Sequence, residues 1–390
     1  MKIAYITYPY FLDSCIERIK HLSTKVDLHV YVIIAPYNLN STVADFTVEY
    51  DKKKMLYELN EITTTKNTDK LNPYFKNCKE VKFVMMPKKS LSLKATRQMS
   101  KFKKILKQCS PDIIHLQEPP IIFWSLFWFL RQYPVLMSIH DPQPHTGEHS
   151  WRKNFIKKLL FRSVNTFELY SQYSKTQFEE IYNTNAKIFS TELLPYTIYE
   201  ALEPMPIGLP IEFEKDKVIL FYGRISKYKG VEFLLDAFSK LQEKEKNAKL
   251  IIAGKSNYNL QIPENCCDSI NKNIFILNRY IQTGEVVFLM KNSTVLVCPY
   301  VDATQSGIVM TAIPFDIPMI VSNVGALPQQ VEKYNCGYVM EDYNVDTLSS
   351  LLAKSIYIEN RGNKLDYSIE IDETITKILT EYKQLTKYNR

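Results

Sequence analysis

The chain has 390 residues, 45% of them hydrophobic, a formal net charge of +7 and seven cysteines with no C-x-x-C pair among them. That length exceeds what one core ordinarily holds and predicts two domains of roughly 200 residues or fewer. The cysteine spacing argues against structural zinc, and the odd count without a secretory leader leads us to expect a reducing cytoplasm.

Strand-like runs alternate with amphipathic stretches, which predicts an α/β fold with parallel sheets. Ile3 to Thr7, His29 to Ile34, Ile113 to Leu116 and Leu250 to Ala253 read as strands without polar alternation, covered on both faces. Asn38 to Asn77 is polar and poorly periodic, the pattern of an insertion or flap. Lys88 to Lys107 carries eight lysine or arginine residues and no acid, interleaved with Leu91, Leu93, Met99, Phe102, Ile105 and Leu106. Trp151 to Arg162 (WRKNFIKKLLFR) repeats the type. Two readings stay open for these segments: solvated helix faces, or a surface for anionic lipid headgroups. Nucleic acid is the weaker alternative, because no nucleic-acid module accompanies the charge.

Pro119 to Leu130 (PPIIFWSLFWFL) is the most apolar stretch, yet far short of the roughly 20 residues that span a bilayer. Lying between two strands, it reads as a buried crossover helix, or as one resting partly in a membrane interface. Glu203 to Asp216, with three prolines and a glycine, is the predicted domain boundary. Asp372 to Tyr388 reads as a terminal helix.

Val218 to Phe238 (VILFYGRISKYKGVEFLLDAF) carries the strongest functional signal. A β-branched run ends at Gly223, a basic loop holds Arg224 and Lys229, and Gly230 opens a helix with apolar residues at Val231, Leu234, Leu235 and Phe238. Such a unit sets two cations at the carboxyl end of a parallel strand beside a helix start, where anions are favoured. Further on, the strand Val295 to Tyr300 leads into Val301-Asp302-Ala303-Thr304-Gln305-Ser306-Gly307 and a helical stretch from Ile308 to Phe315. Pro318 to Pro328 adds another strand and a glycine-containing loop. Small residues at Ser306 and Gly307 let a ligand approach free backbone N–H groups there. Two strand–loop–helix units with anion-binding features point to a nucleotide diphosphate crevice.

GR-I-x-x-Y-K-G followed by x-x-LL-x-AF, and PY-x-x-ATQSG followed by x-x-x-x-A-x-x-F-x-x-P-x-I, resemble the carboxyl-terminal domain of family 4 (group 1) retaining glycosyltransferases. The resemblance runs from about Lys217 to Met340. It is weaker in the first half, resting on Met1 to Thr7, Ile16-Glu17-Arg18, Pro111 to His115 and His140. It implies a GT-B fold: α/β, two Rossmann-like parallel-sheet domains facing a central cleft. Residues 1–203 would form the acceptor domain, with the terminal helix 372–390 packed back on it, and 204–371 the nucleotide-sugar donor domain.

By the same resemblance, Arg224 and Lys229 stabilise the leaving diphosphate in place of a metal, and Asp302 and Gln305 approach the sugar. Gly223, Thr304, Ser306, Gly307 and Thr311 line the donor, with Arg279 and Tyr280 near the base. His140 touches sugar or phosphate, and Asp141, His145 and Glu148 shape the acceptor side. The chain departs from the family at Ala303 and Thr311, where many members carry glutamates, and at Ser14-Cys15, which stand where a Gly-Gly loop precedes the first helix. The implied reaction moves a sugar, with retention, from a UDP- or GDP-sugar to a glycan or lipid-linked acceptor, without cofactor or nucleic acid. Its expected place is the cytoplasm or the inner membrane leaflet. A non-catalytic nucleotide-binding homologue and a nucleotide-sugar epimerase are the alternatives.

Overall fold

The computed structural model of the chain describes residues 1–35, 43, 46–47, 54–64, 68–87, 89, 92–118, 121–142, 151–358 and 366–387. They divide into two compact units, one from the described residues of Met1–Pro144, Glu148–Leu194 and Asp366–Arg390, the other from those of Pro195–Leu365. The chain leaves the first unit at Leu194, ahead of the proline-rich stretch expected to mark the boundary. The segment between is pinned to the second unit: Tyr196 N–H donates to Met310 O at 3.0 Å and Met205 N–H to Gly284 O at 2.8 Å.

The first unit contains β1 (Lys2–Thr7), α1 (Leu12–Leu22), β2 (Asp27–Ile34), β3 (Phe46–Thr47), β4 (Leu56–Tyr57), β5 (Thr63–Thr64) and α2 (Thr68–Phe75). It continues through β6 (Glu80–Met85), α3 (Leu93–Cys109), β7 (Ile113–Gln117), α4 (Phe127–Leu130), β8 (Val135–Ile139), α5 (Trp151–Phe161), β9 (Thr166–Leu169), α6 (Gln172–Ile181) and β10 (Lys187–Ser190). Its main sheet runs β10-β9-β8-β7-β1-β2-β6-β4, parallel except for β4 against β6. The stretch expected to be a flap therefore lends a short strand to the sheet edge; β3 and β5 pair separately.

One face of this sheet is the apolar core. Ile6, Ile114, Leu116, Met137, Ile139, Phe167 and Leu169 meet Ala95, Met99, Phe102 and Leu106 of α3, Phe123, Leu126, Phe127, Phe129 and Leu130, and Leu160 and Phe161 of α5. Burying one such side chain is worth about 1.5–3 kcal/mol. Among the described residues of Pro119 to Leu130 the core reading holds, but the geometry differs: a 3-10 stretch, Ile121–Leu126, precedes the single turn α4, and Trp128 points out. The α3 helix starts where Ser92 caps it, its Oγ accepting from Ala95 N–H. It ends at Ser110 in the left-handed region, φ 48°.

The opposite face is covered as well, as expected of strands buried on both sides, but polar side chains line it where an apolar face was expected. Tyr5, His115, Gln117, Ser138 and Glu168 are in register across β1, β7, β8 and β9 and fall on one face by the period of two.

The second unit contains β11 (Lys217–Tyr222), α7 (Val231–Gln242), β12 (Ala248–Ala253), β13 (Ile274–Leu277), α8 (Thr283–Asn292), β14 (Val295–Cys298), α9 (Gly307–Ala312), β15 (Met319–Ser322), α10 (Leu327–Lys333), β16 (Gly337–Met340) and α11 (Val345–Ser355). Its sheet is parallel throughout, in the order β13-β12-β11-β14-β15-β16. The terminal helix α12 (Ser368–Lys387) belongs to the first unit, against α1 and β7.

Candidate active site

In the second sheet the chain proceeds from β11 outward to β13, then returns to lay β14 on the other side of β11. This is a topological switch point, and the loops at the carboxyl ends of β11 and β14 flank a crevice that open α/β sheets use for ligands. The sequence motifs occupy those two loops. Gly223 ends β11, and a Cβ placed there would stand 3.4 Å from Ile308 Cδ1 and 3.7 Å from Lys229 Nζ. The two loops thus lie against each other.

Lys229 is only 9% exposed, not on an open loop as its sequence setting implies. Its ammonium donates to the Tyr300 hydroxyl at 2.9 Å and lies 4.2 Å from that ring's centroid. Burial pushes the Tyr300 phenol well above its ordinary pKa, so it stays neutral. Lys229 and Tyr300 therefore link the β11 loop to the loop that follows β14. Arg224 sits on the exposed side of the same loop.

Two glycines let the loops after β12 and β15 come close to those after β11 and β14. At Gly254, φ +154°, a Cβ would overlap the Gly223 carbonyl; at Gly325, φ +57°, it would overlap the Ala303 carbonyl. Only glycine accepts both the dihedral and the contact.

The other expected donor residues divide. Asp302, Gln305 and Gly307 are partly exposed on the β14 loop and the first turn of α9. Thr304 is buried, and its carbonyl accepts from Ala326 N–H at 3.1 Å. The Ser306 N–H, expected to be open to a phosphate, donates instead to Gln330 Oε1 at 3.1 Å, while its Oγ accepts from Val309 N–H. Of the pair, Gly307 keeps the N–H that heads the helix, where no intrahelical acceptor exists. Thr311 is buried with its hydroxyl donating to Gly307 O at 2.9 Å. Arg279 grips Glu285 with two bonds of 2.6 Å, and Glu285 caps α8 by accepting from Gln282 N–H. Its guanidinium is thus committed to the fold, and Tyr280 stands exposed beside it.

In the first unit, Ser14 and Cys15 are not in a loop. Both lie inside α1 and are buried, Ser14 Oγ donating to Phe11 O at 2.8 Å and Cys15 Sγ 3.3 Å from Thr7 Oγ1. Burial pushes the Cys15 thiol up to about 12. The turn before the helix is built from Tyr8, Pro9, Tyr10 and Phe11, which are bulky. Phe11 stacks on His140 with centroids 3.7 Å apart and planes 2° from parallel.

His140 follows β8, its Nε2 2.9 Å from Gln117 Oε1. Burial, with Arg18 nearby, holds its pKa well below the usual value, so the ring is neutral at pH 7. Gln117 Oε1 also accepts from the Tyr170 hydroxyl at 3.0 Å, which makes His140 Nε2 the donor in their bond. The Asp141 carbonyl accepts from Lys157 Nζ at 3.1 Å, and Lys157 pairs with Glu118 at 2.7 Å. His145 and Glu148 lie outside the described residues. Among the described residues, no three His, Cys, Asp or Glu side chains gather as a metal site, and no disulfide joins the seven cysteines.

Sequence reading missed the polar network beneath His140. Arg18 and Glu168, neither exposed at all, pair at 2.6 Å. Arg18 also donates to Thr191 Oγ1 and Glu192 O. Glu168 accepts from Ser138 Oγ at 2.5 Å, Ser138 meets His115 Nε2 at 2.7 Å, and His115 Nδ1 meets the Tyr382 hydroxyl of α12 at 2.5 Å. The available signal was polar residues two apart in consecutive apolar strands: His115 and Gln117, then Thr166 and Glu168.

A sucrose-phosphate synthase from Thermosynechococcus elongatus superposes over 100% of both chains with a TM-score of 0.64 at 12% identity. A UDP-GlcNAc 2-epimerase from Neisseria meningitidis, bound to UDP-GlcNAc, does so over 97% of this chain and 100% of its own with a TM-score of 0.54 at 13% identity. At such identities the likeness concerns fold alone, and the fold is GT-B. Residues 210–370 match the Glycosyl transferases group 1 family and residues 59–189 match Glycosyltransferase Family 4. An uncharacterized glycosyltransferase of Methanocaldococcus jannaschii is 26% identical over 190 residues, 45% of this chain and 47% of that protein. The chain thus spans about half the length of that relative. One of Haemophilus influenzae is 23% identical over 325 residues, 80% of this chain and 87% of its own. The chain belongs to the group 1, family 4-like glycosyltransferases.

Proposed function

We propose that the protein transfers a sugar, with retention of anomeric configuration, from a nucleotide-diphosphate sugar to a glycan or lipid-linked acceptor in surface-polysaccharide synthesis. Lys229 carries this reading: a cation buried at the switch point of the second sheet, beside the Gly223 backbone and bonded to the Tyr300 hydroxyl just after β14. Breaking the anomeric C–O bond leaves negative charge on the diphosphate, and a preorganised cation in a dry site stabilises that charge as it grows. Arg224 adds a fork that grips two phosphate oxygens.

Gly223, Thr304 and Gly307 line the pyrophosphate, Asp302 and Gln305 serve the sugar hydroxyls, and Tyr280 with the Arg279 backbone serves the base. Ser306 and Thr311 act by holding α9 in place. On the acceptor side, His140 orients a hydroxyl through a neutral ring, not through charge, with Asp141 beside it. A donor phosphate oxygen takes the acceptor proton in a front-face attack. The cations stand in for a metal, no cofactor enters, and the reaction belongs to the cytoplasm.

A second reading, nucleotide binding without transfer, is favoured by Ala303 and Thr311, which put no carboxylate at two positions where many members carry one. The test is a panel of UDP-, GDP- and ADP-sugars scored by thermal stabilisation, where a ligand at 100 times its Kd adds about 2.7 kcal/mol, followed by turnover of the responsive donor. Slow donor hydrolysis that survives EDTA and falls at least tenfold in Lys229→Met and Arg224→Ala supports transfer. Tight binding without turnover supports the second reading, and normal rates in both variants overturn the clamp.

A further inference from the structure

We infer that the outer surface of α3, α4 and α5 docks the first unit onto an anionic lipid bilayer. These helices share one layer: α3 and α5 both pack against the 3-10 stretch that leads into α4, and all bury their inner sides in the same apolar core. What they turn outward is unusual. No acid occurs in Leu93–Cys109, in Ile121–Leu130 or in Trp151–Phe161. Glu118, just ahead of the 3-10 stretch, pairs with Lys157 at 2.7 Å. Acids border the field on two sides: Glu58, Asp69 and Glu80 line a cavity with Ile105, Gln108 and Cys109 at the end of α3, and Glu179 and Glu180 lie on α6.

The α3 helix supplies a straight stripe. Lys94, Arg97, Lys101 and Lys104 follow one another at spacings of three and four and are all exposed, opposite the buried Ala95, Met99, Phe102 and Leu106. From Lys94 to Lys104 that stripe is about 15 Å long, enough to meet more than one headgroup at once. Arg131, Lys158 and Arg162 extend the field across the neighbouring helices, all exposed.

Cations alone would fit any polyanion. The same layer, however, also exposes three large apolar side chains: Leu93 at 81%, Trp128 at 72% and Phe155 at 66%. Trp128 has an apolar ring with one polar edge, the form that settles at a headgroup boundary. The Arg131 guanidinium lies 5.6 Å from its ring centroid, a cation placed beside an aromatic. Lys and Arg around protruding aromatic and aliphatic groups match a bilayer whose surface is anionic and whose interior is apolar. A polynucleotide offers charge but gives Leu93 and Phe155 no apolar interior. None of the described helices is long and apolar enough to cross a membrane, so contact is with the surface.

The measurement is sedimentation of the full chain with vesicles of phosphatidylcholine alone and of phosphatidylcholine with phosphatidylglycerol, without donor or acceptor, across a salt series. Docking predicts binding to the anionic vesicles only, weakening steeply as salt rises. Two variants separate the parts. Lys94→Gln/Arg97→Gln/Lys101→Gln/Lys104→Gln should lower partition at least tenfold, and Trp128→Ser/Phe155→Ser, both on exposed side chains, several-fold at least. Donor-induced thermal stabilisation should stay unchanged in both, which reports that they fold. Binding to neither vesicle, equal binding to both, unchanged binding in either variant, or equally tight binding to RNA that the aromatic variant does not weaken, overturns the inference. Because vesicle binding is read without turnover, its failure leaves the transferase reading standing, and the reverse holds too.

Discussion

Replacing Arg18 with methionine removes one partner of a buried ion pair and keeps the volume. Glu168 is then left with no charge partner, wholly buried, among Ser138, Thr191 and His115. In the native unit Glu168 is held below the usual carboxylate range: burial raises its pKa, and Arg18 leads the groups that more than offset this. Breaking a buried pair by removing one partner costs about 3–5 kcal/mol. For a unit of this size each kcal/mol moves the midpoint by about 2–4 °C, so the first unit should melt about 6–20 °C earlier. Calorimetry and urea titration of the full chain read this directly. The double variant Arg18→Met/Glu168→Gln leaves no buried charge and should recover a substantial part of the loss. If Arg18→Met stays within about 1 kcal/mol of the parent, or if the two substitutions are additive, the pair is not holding the unit together and the reasoning fails.

Two further expectations follow from the same coordinates. Burial lowers the His115 pKa from 6.5 to about 4, Glu168 opposing the shift and Arg18 adding to it. Between those values the unfolded chain binds a proton that the folded chain does not. Stability should therefore fall as pH drops from 6.5 toward 4, by up to about 3 kcal/mol, with no contribution from this group above 6.5; urea titrations of His115→Asn should show that part of the slope gone. Gly325→Ala should push the Ala303 carbonyl and its loop aside, lowering both the melting point and donor-induced stabilisation, whereas Gly208→Ala, with open space around it, should change neither.

The loops after β11 and β14 were legible because their signals are local. A β-branched run, a glycine, two cations and a helical period fall within twenty residues, and each element forms where that pattern says. Burial of Lys229 was not legible, since the Tyr300 that meets it stands 71 residues away. Ser14 and Cys15 misled because small residues were taken to extend a loop, whereas Leu12, Ile16 and Ile19 already supply the apolar period of α1. The polar face of the first sheet escaped for a related reason. Its strands are apolar enough to read as doubly buried, and the partners of Arg18 and His115 are supplied by residues 150 and 267 positions away. Nothing in a local window names them.

The return of α12 to the first unit sets an order on synthesis. His115 leaves the ribosome early, but the hydroxyl that closes its hydrogen bond belongs to Tyr382. Between Leu194 and Asp366 the ribosome makes roughly 170 residues, which at about 5–20 residues per second takes about 10–35 s. Through that interval the polar face of the amino-terminal sheet has α1 on it but still lacks α12, while the uninterrupted second unit is free to fold. The half of the protein that is translated first is therefore the half that is finished last, and a nascent chain stalled before Ser368 would carry a complete second unit beside an incomplete first one.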